Sequence, residues 1–242
     1  MSTVSAPSSG GVLRHDATTG RVRFVVTGGI DLGDSAPGAD QARAELAAAL
    51  GVRADRLLLP RQVHGRGVLV VDGPWPGDVP EADGLVVAGA GTAVGVRAAD
   101  CMPLLLGDGG RGLAAAVHVG RVGLQADIVA VAVDELARLG ATSLLARLGP
   151  TVCGDCYEVP EAMRDEVAAL LPAASGTTRD GTPSIDIPAG VRVQLASAAS
   201  DAGVAVEIDD SWGGCTLEDP RSFSHRRDAV TGRHAGVVVI LP

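Results

Sequence analysis

Short apolar runs alternate with polar turns along most of the chain, and this pattern predicts many short strands. Arg21–Thr27 alternates like a strand, and later apolar runs are bounded by Pro, Gly and Asp. The other predicted strands are Leu57–Leu59, Val68–Val71, Leu85–Val87, Met102–Leu106, Leu113–Val117, Ser143–Leu148, Val204–Ile208 and Val237–Leu241.

A smaller number of segments carry the helical pattern. In Gly123–Gly140, apolar residues recur three or four positions apart and charged residues occupy the other face. The predicted helices are Gly38–Leu50, Gly123–Gly140, the segment near Pro160–Leu171, and Val191–Ala202, with a loop at Thr177–Pro188. Residues 1–10 are rich in Ser, Pro and Gly, which predicts a disordered N-terminus. Nothing in residues 11–242 looks like a linker, so we expect a single domain there.

Composition narrows the class of protein. Hydrophobic residues make up 46% of the 242 residues and aromatic residues only 2%, so Ala, Val and Leu must fill the core. A net charge of −9 argues against nucleic acid as a partner, because phosphate backbones are bound by basic surfaces. The N-terminus lacks a secretory pattern and no apolar run is long enough to span a membrane. We therefore expect a cytoplasmic protein that binds neither membranes nor nucleic acid.

The segment Ala98–Gly123 holds the most informative chemistry. Cys101 stands at the head of one apolar run and His118 at the end of the next. If the two runs are antiparallel neighbours, both residues lie at one edge of the sheet, where His64 can join them from a polar interruption. Two imidazoles and one thiolate fit a catalytic zinc site, a metal-free Cys-His nucleophile pair, or ordinary core and surface residues. Asp100 can orient a histidine, act as a general base or cap a turn.

Two further thiols, Cys153 and Cys156, have the spacing of a redox pair or of half a zinc site. No second CxxC follows and the surrounding pattern is not thioredoxin-like, so two unrelated thiols are the favoured interpretation. The H-x-E and P-C-x-x-C signature of zinc-type nucleobase deaminases is absent, which excludes that class.

The tail of the chain concentrates positive charge. Arg226, Arg227 and Arg233 can clamp a phosphate group. They can equally be solvated side chains paired with Asp228 and Glu218. The residue pattern leaves both interpretations open.

Several short motifs occur one after another across residues 62–233. They are Gln62-Val63-His64-Gly65, Ala82-Asp83-Gly84-Leu85-Val86, Ala99-Asp100-Cys101-Met102-Pro103, His118-Val119-Gly120, Gly149-Pro150 with Tyr157-Glu158-Val159, Cys215-Thr216, and Phe223-Ser224-His225-Arg226-Arg227-Asp228 followed by Thr231-Gly232-Arg233. In these motifs the chain resembles the YfiH family, also called the laccase-domain or multicopper polyphenol oxidase family.

The resemblance implies an α/β (α+β) mixed-sheet sandwich of the YfiH-like type, with outer helices and a single domain. It also implies a zinc enzyme that phosphorolyses adenosine, inosine, guanosine and methylthioadenosine and deaminates adenosine. Its partners would be a purine nucleoside and phosphate, and we expect a monomer. The expected site residues are His64, Cys101 and His118 for zinc, the same three with Asp100 for catalysis, and Gln62, Arg227 and Arg233 for substrate or phosphate.

Other functions compete with this one. Copper is a less favoured cofactor, because a multicopper oxidase needs many histidines and this chain has five, with no His-x-His pair. A Cys-His hydrolase or amidase would use the same pocket without a purine. Residues 118–123 read HVGRVG where the family has HAGWRG, so a non-catalytic nucleoside-binding member is a further alternative.

Overall fold

Two sheets packed face to face form the centre of the fold in the computed structural model, which describes residues 3–4, 12–28, 30–33 and 36–242. Among these residues, the six strands of the first sheet are, in spatial order, β1 (Thr3–Val4), β2 (Leu13–Thr19), β3 (Val22–Thr27), β14 (His234–Ile240), β7 (Ala93–Ala98) and β4 (Leu57–Leu58). The six described strands of the second sheet are β13 (Ala205–Asp209), β10 (Ser143–Leu148), β8 (Met102–Asp108), β9 (Leu113–Val119), β6 (Gly84–Ala88) and β5 (Val68–Val71).

Both sheets are mixed. In the second sheet, β10 pairs with β13 and β5 with β6 in parallel, whereas the central pairs are antiparallel. A separate hairpin joins β11 (Ser175–Thr177) to β12 (Pro183–Ile185). The described helices are α1 (Ala39–Leu50), α2 (Arg121–Gln125), α3 (Ile128–Arg138), α4 (Glu161–Leu170), α5 (Ile187–Ala202) and α6 (His225–Asp228).

Helices cover the outer faces of both sheets. On β8, Leu104 belongs to the cluster that also contains Ile128 of α3, whereas the next residue, Leu105, packs with Phe24 of the first sheet. Helix α1 packs on the other side of the first sheet, where Leu46 joins Val237. Strands buried on both faces are apolar at consecutive positions, which explains the unbroken apolar runs. The predicted mixed-sheet sandwich with outer helices, in one domain, is confirmed.

Two predictions about local structure are wrong. The helix predicted over Gly123–Gly140 is broken, because Asp127 takes a left-handed conformation (φ 56°) and its side chain caps α3 by accepting from Ala130 N. The loop predicted over Thr177–Pro188 contains β12, and α5 already begins at Ile187, where Asp186 caps it.

The sequence pattern also missed two strands of the first sheet, β2 and β7. Strand β2 carries polar residues at most positions, and Gly95 and Arg97 interrupt the apolar pattern of β7. Of the predicted disordered N-terminus, only Thr3–Val4 lies within the described residues, where it pairs with β2. Among the described residues, no helix combines the length and the apolar character that crossing a bilayer requires.

Candidate functional site

The hairpin of β8 and β9 brings Cys101 and His118 to one edge of the second sheet. The two strands are antiparallel, with Met102 opposite Val119 and Pro103 opposite His118. Cys101 immediately precedes β8, so its thiol lies beside the end of β9, as the sequence pattern predicts.

His64 completes this group from the loop that follows β4. Its ring packs edge-on against the ring of His118, with the centroids 4.8 Å apart. The ligand atoms of His64, Cys101 and His118 all lie within 4.8 Å of one another. His118 is buried, Cys101 is half-buried and His64 is exposed, so the group opens towards solvent on one side.

A buried carboxylate, Asp83, holds the two histidines in place. His118 Nδ1 lies 2.9 Å from Asp83 Oδ1, which leaves Nε2 of His118 for another partner. The backbone N–H of His64 donates to Oδ1 (3.0 Å), and the N–H groups of Val63 and Gly65 donate to Oδ2 (3.3 and 2.6 Å). Because a carboxylate hydrogen-bonded to the other ring nitrogen fixes the orientation of a metal-binding histidine, Asp83 is a positioning residue for this group.

Sequence reasoning gave Asp83 no role. It lies immediately before the apolar run of β6, and its side chain has no exposed surface. An acidic residue next to a fully buried strand is the signal that could have identified it, since a buried carboxylate needs several hydrogen-bond donors.

Burial and hydrogen bonds within the site shift the pKa values of Cys101, His118 and Asp83. Burial raises the pKa of the Cys101 thiol, but hydrogen bonds from His118 and His64 outweigh burial and bring that pKa to about 6. Burial lowers the pKa of His118, but its hydrogen bonds to Asp83 and Cys101 raise that pKa to about 9. For Asp83, burial is outweighed by the bonds from His118 and the backbone, and the pKa is lowered. Without a metal, the site at neutral pH therefore pairs a thiolate with an imidazolium.

These residues fit a zinc ion. One thiolate and two imidazoles are ligands that zinc prefers, and three protein ligands leave one position for water or substrate. Space for an ion also depends on Gly120, because a Cβ there would lie 3.0 Å from Cys101 Sγ and 3.4 Å from His64 Cδ2. The absence of a side chain at Gly120 keeps the centre of the group open.

The reactivity of Cys101 tests these electrostatics. In chelator-treated protein, we expect alkylation of Cys101 by iodoacetamide to rise with pH around a midpoint near 6 and then level off, because the thiolate is the nucleophile. Cys156 is the internal control, because burial and its neighbouring thiols raise its pKa to about 12 and it should react far more slowly. Peptide mass spectrometry measures both rates. A Cys101 midpoint near the ordinary thiol value of about 8.5 would contradict the arrangement.

Asp100 has a different environment from the one expected of a general base. It is buried and has a φ of 89°, and its Oδ1 accepts from Thr216 Oγ1 (2.6 Å) while Oδ2 accepts from Arg226 N (2.8 Å). Its carboxylate therefore holds Thr216 and Arg226, from the C-terminal part of the chain, close to Cys101. The carboxylate that orients His118 is that of Asp83, not that of Asp100.

The residues predicted to bind substrate or phosphate do not all line the same cleft. Gln62 lines the cleft in front of Cys101, but its amide is bonded in both directions to the backbone of Arg97, at 2.8 Å each. Arg233 also lines the cleft, and its backbone N–H donates to Asp31 (2.7 Å). Arg227 does not line the cleft in the described structure, because its guanidinium pairs with Asp228 and donates to backbone carbonyls of the tail.

The cleft itself measures about 1020 Å³ and is rich in arginine. Arg226 lies in its wall with its guanidinium carbon 4.4 Å from the centre of the Tyr157 ring. The arginines that line the cleft with His64, Cys101 and His118 are Arg97, Arg121, Arg226 and Arg233.

The fold agrees with that of solved structures. YlmD from Geobacillus stearothermophilus superimposes with a TM-score of 0.78 at 23% identity, covering 92% of this chain and 93% of that chain. A mixed two-sheet sandwich with this topology is therefore shared with YlmD, and the likeness concerns the fold alone.

Residues 19–241 match the family described as multi-copper polyphenol oxidoreductase laccase, and the chain belongs to that family. The resemblance to the YfiH family is thus confirmed. A purine nucleoside phosphorylase of Streptomyces coelicolor is 49% identical over 207 residues, which is 84% of this chain and 83% of the relative. A protein named adenosine deaminase RL5, from an unknown prokaryotic organism, is 35% identical over 194 residues, covering 73% of this chain and 72% of the relative.

Proposed function

We propose that the protein is a zinc-dependent purine nucleoside phosphorylase that also deaminates adenosine. Its substrates would be adenosine, inosine, guanosine and methylthioadenosine, with phosphate. The observation that carries this proposal is the group of His64, Cys101 and His118 opening into an arginine-rich cleft of about 1020 Å³. The names of the two relatives above agree with both activities.

The chain's own residues would hold the metal and keep it oriented. His64, Cys101 and His118 are the ligands in this proposal, and Asp83 fixes His118 through Nδ1. When bound, zinc would supply a Lewis acid and a water of lowered pKa, which deamination of adenosine requires. Metal binding would release the His118 proton, since the ligand must be a neutral imidazole.

Phosphorolysis needs a site for an anion next to the ribose. In the reaction, phosphate forms a bond to C1′ while the bond from C1′ to the purine nitrogen breaks, giving ribose 1-phosphate and the free base. The transition state resembles an oxocarbenium ion, and positively charged side chains hold phosphate against it. In a chain with a net charge of −9, the arginines of the cleft provide this positive potential.

Arg121 is the arginine whose contribution is simplest to test. It lines the cleft three residues after His118, and its guanidinium donates one hydrogen bond, to Gln125 (2.7 Å). Replacing Arg121 with Met should raise KM for phosphate about tenfold or more, because a hydrogen bond to a charged group contributes about 1.5–3 kcal/mol. The effect on kcat should be smaller.

Arg138→Met is the matched control for Arg121→Met. Arg138 lies on the exposed side of α3, where it pairs with Glu135 outside the cleft. We expect its removal to leave KM for phosphate unchanged. Equal phosphate KM values for the Arg121→Met variant and the unmodified protein would contradict phosphate binding by Arg121.

A second function is favoured by one specific observation. Cys101, His118 and Asp83 form a chain of contacts in which a thiolate faces an imidazolium that a carboxylate orients. This arrangement also suits a Cys-His hydrolase or amidase. Such an enzyme would keep its activity after chelation of metal, whereas the proposed phosphorylase would lose it.

A multicopper oxidase is less compatible with the side chains. Such an enzyme needs several copper sites rich in histidine. Within the described residues, the two groups that could hold a metal contain at most two histidines, His64 and His118. The ligand set therefore favours zinc over several copper ions.

Product analysis tests the proposal. Purified protein of known metal content is incubated with adenosine, inosine and methylthioadenosine, each with and without phosphate. We expect free base and ribose 1-phosphate, or its methylthio analogue, only when phosphate is present, and inosine from adenosine in both conditions. A protein with a full zinc site that converts none of these nucleosides would overturn the proposed function.

A further inference from the structure

A second group of metal-binding side chains lies outside the site described above. Cys153, Cys156, Cys215 and Glu218 place one ligand atom each within 4.8 Å of one another. All of the cysteines are free and half-buried, and the carboxylate is exposed. The sequence pattern favours two unrelated thiols, whereas the structure brings Cys153 and Cys156 together with Cys215.

Two backbone segments hold the three thiols together. In the first, the N–H groups of Cys156 and Tyr157 donate to the carbonyl of Cys153 (3.0 and 2.8 Å), which forms a tight turn. The second segment is tied to the first by a bridge between Thr151 and Cys215. These hydrogen bonds fix the cluster without any bond between sulfur atoms.

The donor set matches the chemistry of zinc. Structural zinc sites in proteins use two to four thiolates in a tetrahedron with zinc–sulfur distances of about 2.3 Å, which places the sulfurs about 3.8 Å apart. A group whose ligand atoms all lie within 4.8 Å of one another can reach this geometry with small side-chain movements. Thiolate ligands disfavour magnesium and calcium, which prefer oxygen.

A neighbouring arginine balances the charge of such a site. Arg179 forms an ion pair with Oε1 of Glu218 and approaches Asp155 Oδ2 at 4.0 Å. The pairing leaves the second oxygen of Glu218 for a metal, and carboxylates that bind metals are commonly hydrogen-bonded in this way. Three thiolates and one carboxylate on a divalent ion carry a net charge of −2, which the Arg179 guanidinium partly neutralises.

We propose that Cys153, Cys156, Cys215 and Glu218 form a second, structural zinc site. The ion would cross-link the segment around residues 151–157 to the segment around residues 213–219. Both segments reach the active-site cleft: Thr151 and Thr216 hold Asp100 beside Cys101, and Tyr157 lines the cleft wall. The second site thus stabilises the wall of the cleft, whichever reaction the cleft performs.

Metal analysis of single-cysteine variants tests this site. In protein purified with zinc present, we expect about two zinc ions per chain, about one in Cys215→Ser and about one in Cys101→Ser, because each variant loses one site. The double variant should hold none. One zinc ion per chain in the unmodified protein, together with the same content in Cys215→Ser, would overturn the proposal.

Cobalt provides a measurement that does not depend on folding of the Cys215→Ser variant. Cobalt(II) bound to Cys101→Ser, which keeps the second cluster intact, should show strong thiolate-to-cobalt charge-transfer absorption. No such band, or a disulfide within the cluster detected by mass spectrometry of freshly purified, unreduced protein, would also overturn the proposal.

The Glu218→Gln variant tests whether Glu218 is a ligand. It should lose zinc to a chelator at least about tenfold faster than the unmodified site does, and equal rates would remove Glu218 from the ligand set.

The metal content does not depend on the proposed phosphorylase activity. Cys215 is not one of the residues proposed to bind zinc in the cleft, so an absence of nucleoside turnover and an absence of the second zinc ion can be told apart. Two zinc ions in an enzyme without phosphorylase activity would support the second site alone.

Discussion

Replacing Cys101 with alanine is expected to remove zinc from the proposed site and to lower turnover by more than about 100-fold, the upper range for loss of a group that only hydrogen-bonds to a metal ligand. Cys101 supplies the only thiolate among the three proposed ligands, and the two remaining imidazoles would hold zinc much less tightly. Metal analysis and nucleoside turnover measure both effects.

Met102→Leu is the control for Cys101→Ala. Met102 is the next residue along the chain, fully buried in the core that faces the helices. A volume-conserving change there costs less than about 1.5 kcal/mol and should preserve zinc and turnover. If Cys101→Ala kept the zinc content of the unmodified protein, the assignment of Cys101 as a ligand would fail.

Replacing Asp83 with asparagine should weaken zinc binding by about 10–100-fold, as loss of a carboxylate that hydrogen-bonds to a metal-binding histidine does at other metal centres. The change removes the charged partner of His118 and turns an amide group towards the backbone donors of residues 63–65. Each donor left without an acceptor also costs about 1–3 kcal/mol of folding stability. A competition titration with a chromophoric chelator measures the affinity, and urea unfolding of metal-free protein measures the stability.

Asp108→Asn separates these two effects of the Asp83 change. Asp108 is also buried and accepts hydrogen bonds from backbone N–H groups, those of Gly110, Arg111, Thr142 and Ser143, but it lies at the opposite end of β8. We expect Asp108→Asn to lower stability and leave zinc affinity unchanged. Equal zinc affinities in the Asp83→Asn and unmodified proteins would show that Asp83 does not position His118.

Much of this site could be predicted from the sequence because antiparallel pairing converts sequence order into position. Cys101 and His118 border two apolar runs joined by a turn, so pairing of the runs places both at one edge. Residue type and family resemblance predict that His64 belongs to the same site. The structure adds the contact between its ring and that of His118.

The other features depend on contacts that a local pattern does not record. Asp83 acts through backbone N–H groups of a loop about 20 residues earlier, whose direction follows from the fold. Cys215 meets Cys153 only because the bridge at Thr151 joins two distant segments. The broken helix follows from the left-handed conformation of Asp127, which hydrophobic periodicity does not indicate.

The measurement that tests the central claim most directly is zinc reconstitution of stripped enzyme, followed by phosphorolysis of inosine. Chelator-treated protein should form no ribose 1-phosphate, and activity should return in proportion to the zinc bound in excess of that taken up by the Cys101→Ala protein, which lacks a ligand of the proposed site at His64, Cys101 and His118. The Cys101→Ala protein, reconstituted in parallel, should stay inactive. Full phosphorolysis by the metal-free protein would contradict the account, as would its absence from a fully reconstituted enzyme.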